Sequence, residues 1–241
     1  EVFFMKAMIL AAGRGERMRP LTDSCPKPLL KVRGVALIEY HIRNLVAAGI
    51  RDIVINHAWL GEQLIAHLGR GERFAANISY SEEVIALETA GGIIKALPLL
   101  AEQDDEVFLV INGDIYCDFQ FAHLPILAPE YSAHLMLVAN PEHNPNGDFQ
   151  LENGVLVNPK GNKQNTYTFS GIALYRKSFF KQFFKQHSAT KYDNVMSQEA
   201  VKPLAPMLRA AADQQQVSAN VMHSDWTDVG TPERLAKLNT I

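Results

Sequence analysis

The chain has 241 residues, with 23 Lys+Arg against 26 Asp+Glu and a formal net charge of −3, a length suited to one large domain or a domain with a small lobe. Apolar residues at 47% and charged residues at 20% exclude disordered and collagen-like classes, and the mild acidity argues against a nucleic-acid binder. The most apolar stretches, Ala7–Ala12, Val107–Ile111 and Leu135–Ala139, are of strand length, so no membrane partner is expected. The two cysteines, Cys25 and Cys117, have no CxxC spacing, which suits a reducing cytoplasm and no disulfide or zinc framework. No secretory signal is read ahead of Met5-Lys6. Glu1–Phe4 are taken as an extension or tag remnant outside the fold.

Lys6–Leu10 reads as a buried strand, followed by a glycine- and arginine-rich loop. Val35–Ala48 carries Ile38, Ile42, Leu45 and Val46 on one helical stripe, with Gly49 as its stop. Asp52–Asn56 is strand-like, Leu60, Leu64 and Leu68 mark a second helix closed by Gly69, and Ile78–Tyr80 is a third strand. Gly92–Leu100 is a third helix and Val107–Asn112 a wholly apolar fourth strand. This alternation predicts an α/β fold with a mostly parallel, Rossmann-like sheet sandwiched by helices. Ligands in such sheets sit beyond the carboxyl ends of the strands, so loops 11–29, 81–92 and 112–116 are expected to share one crevice.

Beyond about residue 140 the pattern turns β-rich: Phe149–Leu151, Val155–Val157 and Tyr167–Tyr175 look like hairpin strands. Lys177–Gln186 and Ser197–Ala212 look helical, and Thr231-Pro232-Glu233 starts a closing helix. The expected organisation is a single domain over 5–241. Within it, 5–140 carries the strand–helix alternation and the crevice loops, 141–225 forms a small β-rich sub-lobe, and 226–241 holds the closing helix.

The loop after the first strand, Leu10-Ala11-Ala12-Gly13-Arg14-Gly15, allows backbone N–H groups to approach an anion closely. It lacks the third glycine of a dinucleotide fingerprint and the Gly-Lys-Ser/Thr of a P-loop. From residue 14 to 27 it carries Arg14, Arg17, Arg19 and Lys27 against Glu16 and Asp23, 4 − 2 = +2 on an acidic chain, which suits a triphosphate and its leaving-group charge. Pro26 and Pro28 stiffen the backbone around Lys27. Asp114, just past the fourth strand, and Asp228, in Trp226-Thr227-Asp228-Val229-Gly230-Thr231, are candidate carboxylates for a nucleotide-bound magnesium, with turn formation the competing role. At the third helix, the amides of Gly91 and Gly92 can meet a base edge, and Glu82 or Glu83 can accept from a ring N–H.

The run Gly13-x-Gly-x-Arg-Met-x-Pro-Leu-Thr, then Pro26-Lys27-Pro28-Leu29, resembles the signature of the sugar-1-phosphate nucleotidylyltransferases (NDP-sugar pyrophosphorylases). That resemblance implies that Gly13, Arg17 and Lys27 grip the nucleotide phosphates, with Arg17 and Lys27 catalytic. It further implies that Asp114 and Asp228 hold Mg2+, that Asn112 meets ribose or sugar, and that the loop before the third helix reads the base. Further segments, among them Ile53-Val54-Ile55-Asn56-His57-Ala58-Trp59-Leu60-Gly61, Gly147-Asp148-Phe149 and Thr168-Phe169-Ser170-Gly171-Ile172, resemble members that uridylylate N-acetylmuramic acid 1-phosphate in cell-wall recycling. The expected partners are therefore UTP and a sugar 1-phosphate, with Gly147, Asp148, Ser170 and Gly171 as sugar contacts beside Asn112. Leu87-x-Thr-Ala-Gly is closer to mannose-1-phosphate guanylyltransferases, whereas the Glu-Lys-Pro segment of glucose- and mannose-specific members is missing from 155–170. An inactive nucleotide-sugar sensor is the non-enzyme alternative, and it has no use for Arg17, Lys27, Asp114 and Asp228 together.

Overall fold

The computed structural model describes residues 5–161, 165–181 and 201–240. Its centre is a nine-stranded sheet in the order β5-β4-β1-β6-β11-β8-β12-β10-β9. The first four are parallel: β1 (Ala7–Leu10) lies between β4 (Asp52–His57) and β6 (Val107–Asn112), with β5 (Asn77–Glu82) at the edge. β1, β4 and β6 are buried on both faces along most of their length, which is why they read as apolar runs, whereas the edge strand β5 alternates exposed and buried residues. Alternate side chains divide between two cores: Met8, Val54, Phe108 and Val110 face one side, while Ala7, Ile9, Ile53, Ile55, Leu109 and Ile111 face the other. Helices α1 (Leu37–Ala47) and α2 (Gly61–Leu68) cover the second face through Ile38, Ile42, Leu45, Leu64 and Leu68. The first is covered by α3 (Glu88–Leu100) and α4 (Leu204–Asp213).

The second half of the sheet is mixed. β11 (Thr166–Arg176) runs antiparallel to β6 on one side and to β8 (Ala133–Val138) on the other, and β12 (Val217–Val221) is parallel to β8. β9 (Phe149–Glu152) and β10 (Val155–Val157) complete it, and β9 returns to pair with the start of β11. β11, β8, β12, β10 and β9 thereby close into a five-stranded ring. The β-rich part is continuous with the parallel half through the β6–β11 pairing.

Two expected boundaries move. The third helix begins at Glu88 rather than Gly92 because Gly91 and Gly92 lie inside it; the donors at its start, Ala90 N–H and Gly91 N–H, reach Lys202 O at 3.0 and 3.1 Å. The helix expected over Ser197–Ala212 starts at Leu204: residues 201–203 are not helical, Pro203 is extended at the N-cap, and 197–200 lie outside the described residues. The Lys177–Gln186 helix is present over 177–181, and its remainder also lies outside them. Among the described residues no helix is long and apolar enough to cross a membrane.

Candidate active site

Parallel β1, β4 and β6 end at one level. Leu10 is in register with Asn56 on one side and Asn112 on the other. Their exits open on a cleft of about 440 Å³ lined by residues 10–18, Lys27, Pro28, Asn56, Glu83, 86–89, 112–114 and Gly230. The three loops expected to share a crevice do so.

The loop after β1 is held from within. Gly15 sits in the left-handed region at φ +68°, which its lack of a side chain permits. Its carbonyl accepts from the Thr22 hydroxyl at 2.7 Å and from Met18 N–H at 2.9 Å. The local positive charge is not spread evenly. Arg19 pairs with Asp23 at 3.1 Å on the exposed side of the turn, leaving Arg14, Arg17 and Lys27 to line the cleft. Lys27, in a single 3₁₀ turn after Pro26, is only 8% exposed, and its Nζ donates to Asp114 Oδ2 at 2.6 Å.

Asp114 and Asp228 approach through a two-stranded ladder. β7 (Ile115–Cys117) pairs antiparallel with β13 (Trp226–Asp228) so that Asp228 faces Ile115, and Val229 N–H donates to Asp114 O at 2.9 Å. Asp228 Oδ2 accepts from Arg234 Nη1 at 2.8 Å and lies 3.4 Å from His143 Nε2. A Cβ placed on the cleft-lining Gly230 would stand 3.0 Å from Asp228 Oδ1. Both carboxylates are thus balanced by a neighbouring cation. Among the described residues no group of three or more His, Cys, Asp or Glu side chains is placed to hold a metal. Asp114, in the turn before β7, and Asp228, at the end of β13, stand at neighbouring backbone positions, and two carboxylates are a donor set of the kind magnesium takes, its shell completed by phosphate oxygens and water. Below them His41 is fully buried, with Nε2 2.9 Å from Ile115 O, and burial pushes its pKa down to about 4.

The cleft wall ahead of α3 separates the two candidate acids, with Glu83 lining it and Glu82 not. Glu83 is 4% exposed and its carboxylate is spent inside the protein. Oε1 accepts from Asn56 Nδ2 at 2.6 Å, and Oε2 accepts from Leu87 N–H at 3.1 Å. Asn56 Oδ1 in turn accepts from Ala11 N–H at 2.8 Å, so Glu83 braces the phosphate loop and the approach to α3 together. Glu82 is exposed and does not line the cleft. Gly91 N–H is already bonded to Lys202 O, and Gly92 is packed so tightly that a Cβ would stand 2.5 Å from Glu83 Oε1. The backbone facing the cleft is instead 86–89, just ahead of these glycines.

The expected sugar contacts separate in the same way. Asn112 lines the cleft, but Gly147, Asp148, Ser170 and Gly171 do not. Asp148 accepts from Phe169 N–H at 2.9 Å and from Asn144 Nδ2 at 3.1 Å. The buried Ser170 hydroxyl donates to Met136 O at 2.7 Å and accepts from Ile172 N–H at 3.2 Å. Gly147 occupies a left-handed turn against Asn140 and Thr166. Ser170 and Gly171 sit where the β11–β8 register shifts, and the absent side chain of Gly171 lets this bulge approach the Asn112 amide. Those residues shape the sheet beside the cleft. Asn56 was missed, and its readable signal was a polar amide ending an apolar parallel strand, as at Asn112, whereas 86–89 lie within the 81–92 loop expected at the crevice.

Comparison with known proteins agrees with this geometry. A family model described as nucleotidyl transferase matches residues 6–241. N-acetylmuramate alpha-1-phosphate uridylyltransferase of Neisseria meningitidis is 48% identical over 242 residues, covering 98% of both chains. Mannose-1-phosphate guanylyltransferase catalytic subunit beta of Dictyostelium discoideum is 30% identical over 95% of this chain, which spans 62% of that longer relative. The fold is shared with the inositol-1-phosphate CTP transferase of T. maritima at a TM-score of 0.73, with 19% identity and coverage of 99% and 98% of the two chains. The chain belongs to the nucleotidyl transferase family, as an enzyme of its sugar-1-phosphate nucleotidylyltransferase class.

Proposed function

We propose that the chain transfers a uridylyl group from UTP to N-acetylmuramic acid 1-phosphate, yielding the UDP-sugar and pyrophosphate. The observation that carries this reading is the buried Lys27 ammonium, 2.6 Å from Asp114, in a cleft walled by the glycine loop. The near-full-length similarity to the N. meningitidis uridylyltransferase supports the choice of base and sugar.

The nucleophile is a sugar-phosphate oxygen already ionised at neutral pH, so no general base is required, and buried His41 takes no proton-transfer role. Its attack on the α-phosphorus breaks the P–O bond to the β-phosphate, and the anomeric C–O bond stays intact. The chain's task is alignment and charge neutralisation. The loop amides around Gly13 receive the phosphates, while Arg17 and Lys27 stabilise the charge growing on pyrophosphate. The Asp114 partnership holds Lys27 in place before substrate arrives. Asp114 and Asp228 would hold magnesium, which when bound supplies further neutralisation of the triphosphate.

A pyrophosphate-release assay tests this, with UTP, GTP, CTP and dTTP each paired with N-acetylmuramic acid, glucose and mannose 1-phosphates. UTP with N-acetylmuramic acid 1-phosphate is expected to give the highest kcat/KM. A higher value for GTP with mannose 1-phosphate would overturn the assignment of base and sugar. Absence of pyrophosphate from every pair would overturn the reaction.

A further inference from the structure

Arg14 is the cleft-lining loop cation to which the reaction scheme assigns no specific part. It stands between Gly13 and Gly15 in the phosphate loop and lines the cleft. Its guanidinium carbon lies 3.4 Å from the centroid of the Trp59 ring. One guanidinium nitrogen, Nη1, is buried without a hydrogen-bond partner among the described residues. The Trp59 ring is itself tied to the loop it supports: Nε1 donates to Thr22 O at 3.1 Å, and the Thr22 hydroxyl donates to Gly15 O. Trp59 follows β4 and precedes α2, so the rigid sheet carries it.

Stacking on an aromatic face holds a guanidinium plane while leaving its in-plane N–H donors directed outward. A buried donor with no acceptor is costly to any fold, and in a binding cleft it marks a group waiting for a ligand. The planar donor fork matches phosphate oxygens. The Trp59 face already carries the guanidinium and is closed to a nucleobase. We propose that Arg14, held by Trp59, is a preformed seat for the terminal phosphates of the nucleotide and for the departing pyrophosphate, with Trp59 as its positioning residue. This rests on the nucleotidyl-transfer reading of the cleft.

Calorimetric titration of the full chain with inorganic pyrophosphate, and separately with UMP, tests it without turnover. Arg14→Ala is expected to weaken pyrophosphate binding by about tenfold while UMP binding stays within about twofold. Trp59→Leu should weaken pyrophosphate by about threefold or more, and Trp59→Phe, which keeps a ring face, should bind close to wild type. Arg14→Lys keeps the charge without the planar fork and should fall between wild type and alanine. In turnover, Arg14→Ala should raise the KM for UTP and leave that for the sugar phosphate unchanged. Wild-type pyrophosphate affinity in Arg14→Ala would overturn the seat, wild-type affinity in Arg14→Lys would overturn the stacked geometry, and wild-type affinity in Trp59→Leu would overturn the positioning role. A wild-type protein that binds pyrophosphate through Arg14 yet transfers no nucleotide would contradict the reaction and leave this seat standing.

Discussion

Lys27 concentrates the chemistry in one side chain. It is buried between two prolines and bonded to Asp114, so its removal takes away a cation that the fold has already placed. Lys27→Ala is predicted to lower kcat by roughly 10²–10³, the cost of deleting one transition-state donor; steady-state rates within threefold of wild type would exclude a catalytic role. Glu83 illustrates the opposite case, an acid lining the cleft that serves the scaffold. Its two oxygens each accept one internal N–H, and an amide would turn a donor toward one of those donors. Glu83→Gln is therefore predicted to cost about 1–3 kcal/mol in urea unfolding and to raise the KM for the nucleotide, because Asn56 and the 87–89 backbone move with it. An unchanged midpoint would show that the brace is dispensable. The residue types and spacing around Gly13, Arg17 and Lys27 were legible because consecutive residues form that loop. The choice between Glu82 and Glu83 was not, since it depends on which side of β5 faces α3 across Gly92, a relation between elements far apart in sequence.

The elements themselves were readable to the extent that their periodicity was local. From residue 6 to 112 the longer strands and helices appear where apolar spacing placed them, with ends displaced by a few residues, but the short hairpin of Lys31–Val32 with Val35–Ala36 was not anticipated, and it takes the first two residues expected in α1. β12 was not anticipated, although Val217-Ser218-Ala219-Asn220-Val221 alternates apolar and polar residues as a half-buried strand does; its pairing with β8 joins segments some eighty residues apart. The closing helix α5 (Pro232–Asn239) began at its expected N-cap, where the Thr231 hydroxyl accepts from Arg234 N–H at 3.4 Å. Because that bond is long, Thr231→Ala is predicted to cost about 0.5–1 kcal/mol, at the lower end for a lost cap. In a thermal melt this corresponds to a drop of about 2–3 °C; no change would show that Pro232 and packing alone set the start of the helix. The same cap orders the backbone from which Arg234 reaches Asp228, so the variant should also alter the magnesium concentration for half-maximal activity.

Across the whole molecule, two opposed cores hold one sheet whose parallel half opens on the cleft and whose mixed half closes into a ring. His134 lies within that second half on β8. Its Nδ1 is 2.8 Å from the Ser218 hydroxyl, and burial pushes its pKa down to about 4. The unfolded chain binds a proton near pH 6.5 that the folded chain refuses until about pH 4, so this stability is complete above pH 6.5 and lost as pH falls through that interval. At about 1.4 kcal/mol per pKa unit the loss is on the order of 3 kcal/mol. Melting temperatures measured from pH 7 to 4 should fall, and His134→Leu should flatten the decline; an equal slope in both would place the proton uptake elsewhere. That the loop cations and the two aspartates act on the same phosphates is testable in a crystal structure with a non-hydrolysable UTP analogue and manganese, read by anomalous scattering. The predicted result is a metal signal at the carboxylates of Asp114 and Asp228, with the triphosphate lying against Gly13, Arg17 and Lys27. A nucleotide seated outside this cleft, or a metal bound away from both aspartates, would contradict it.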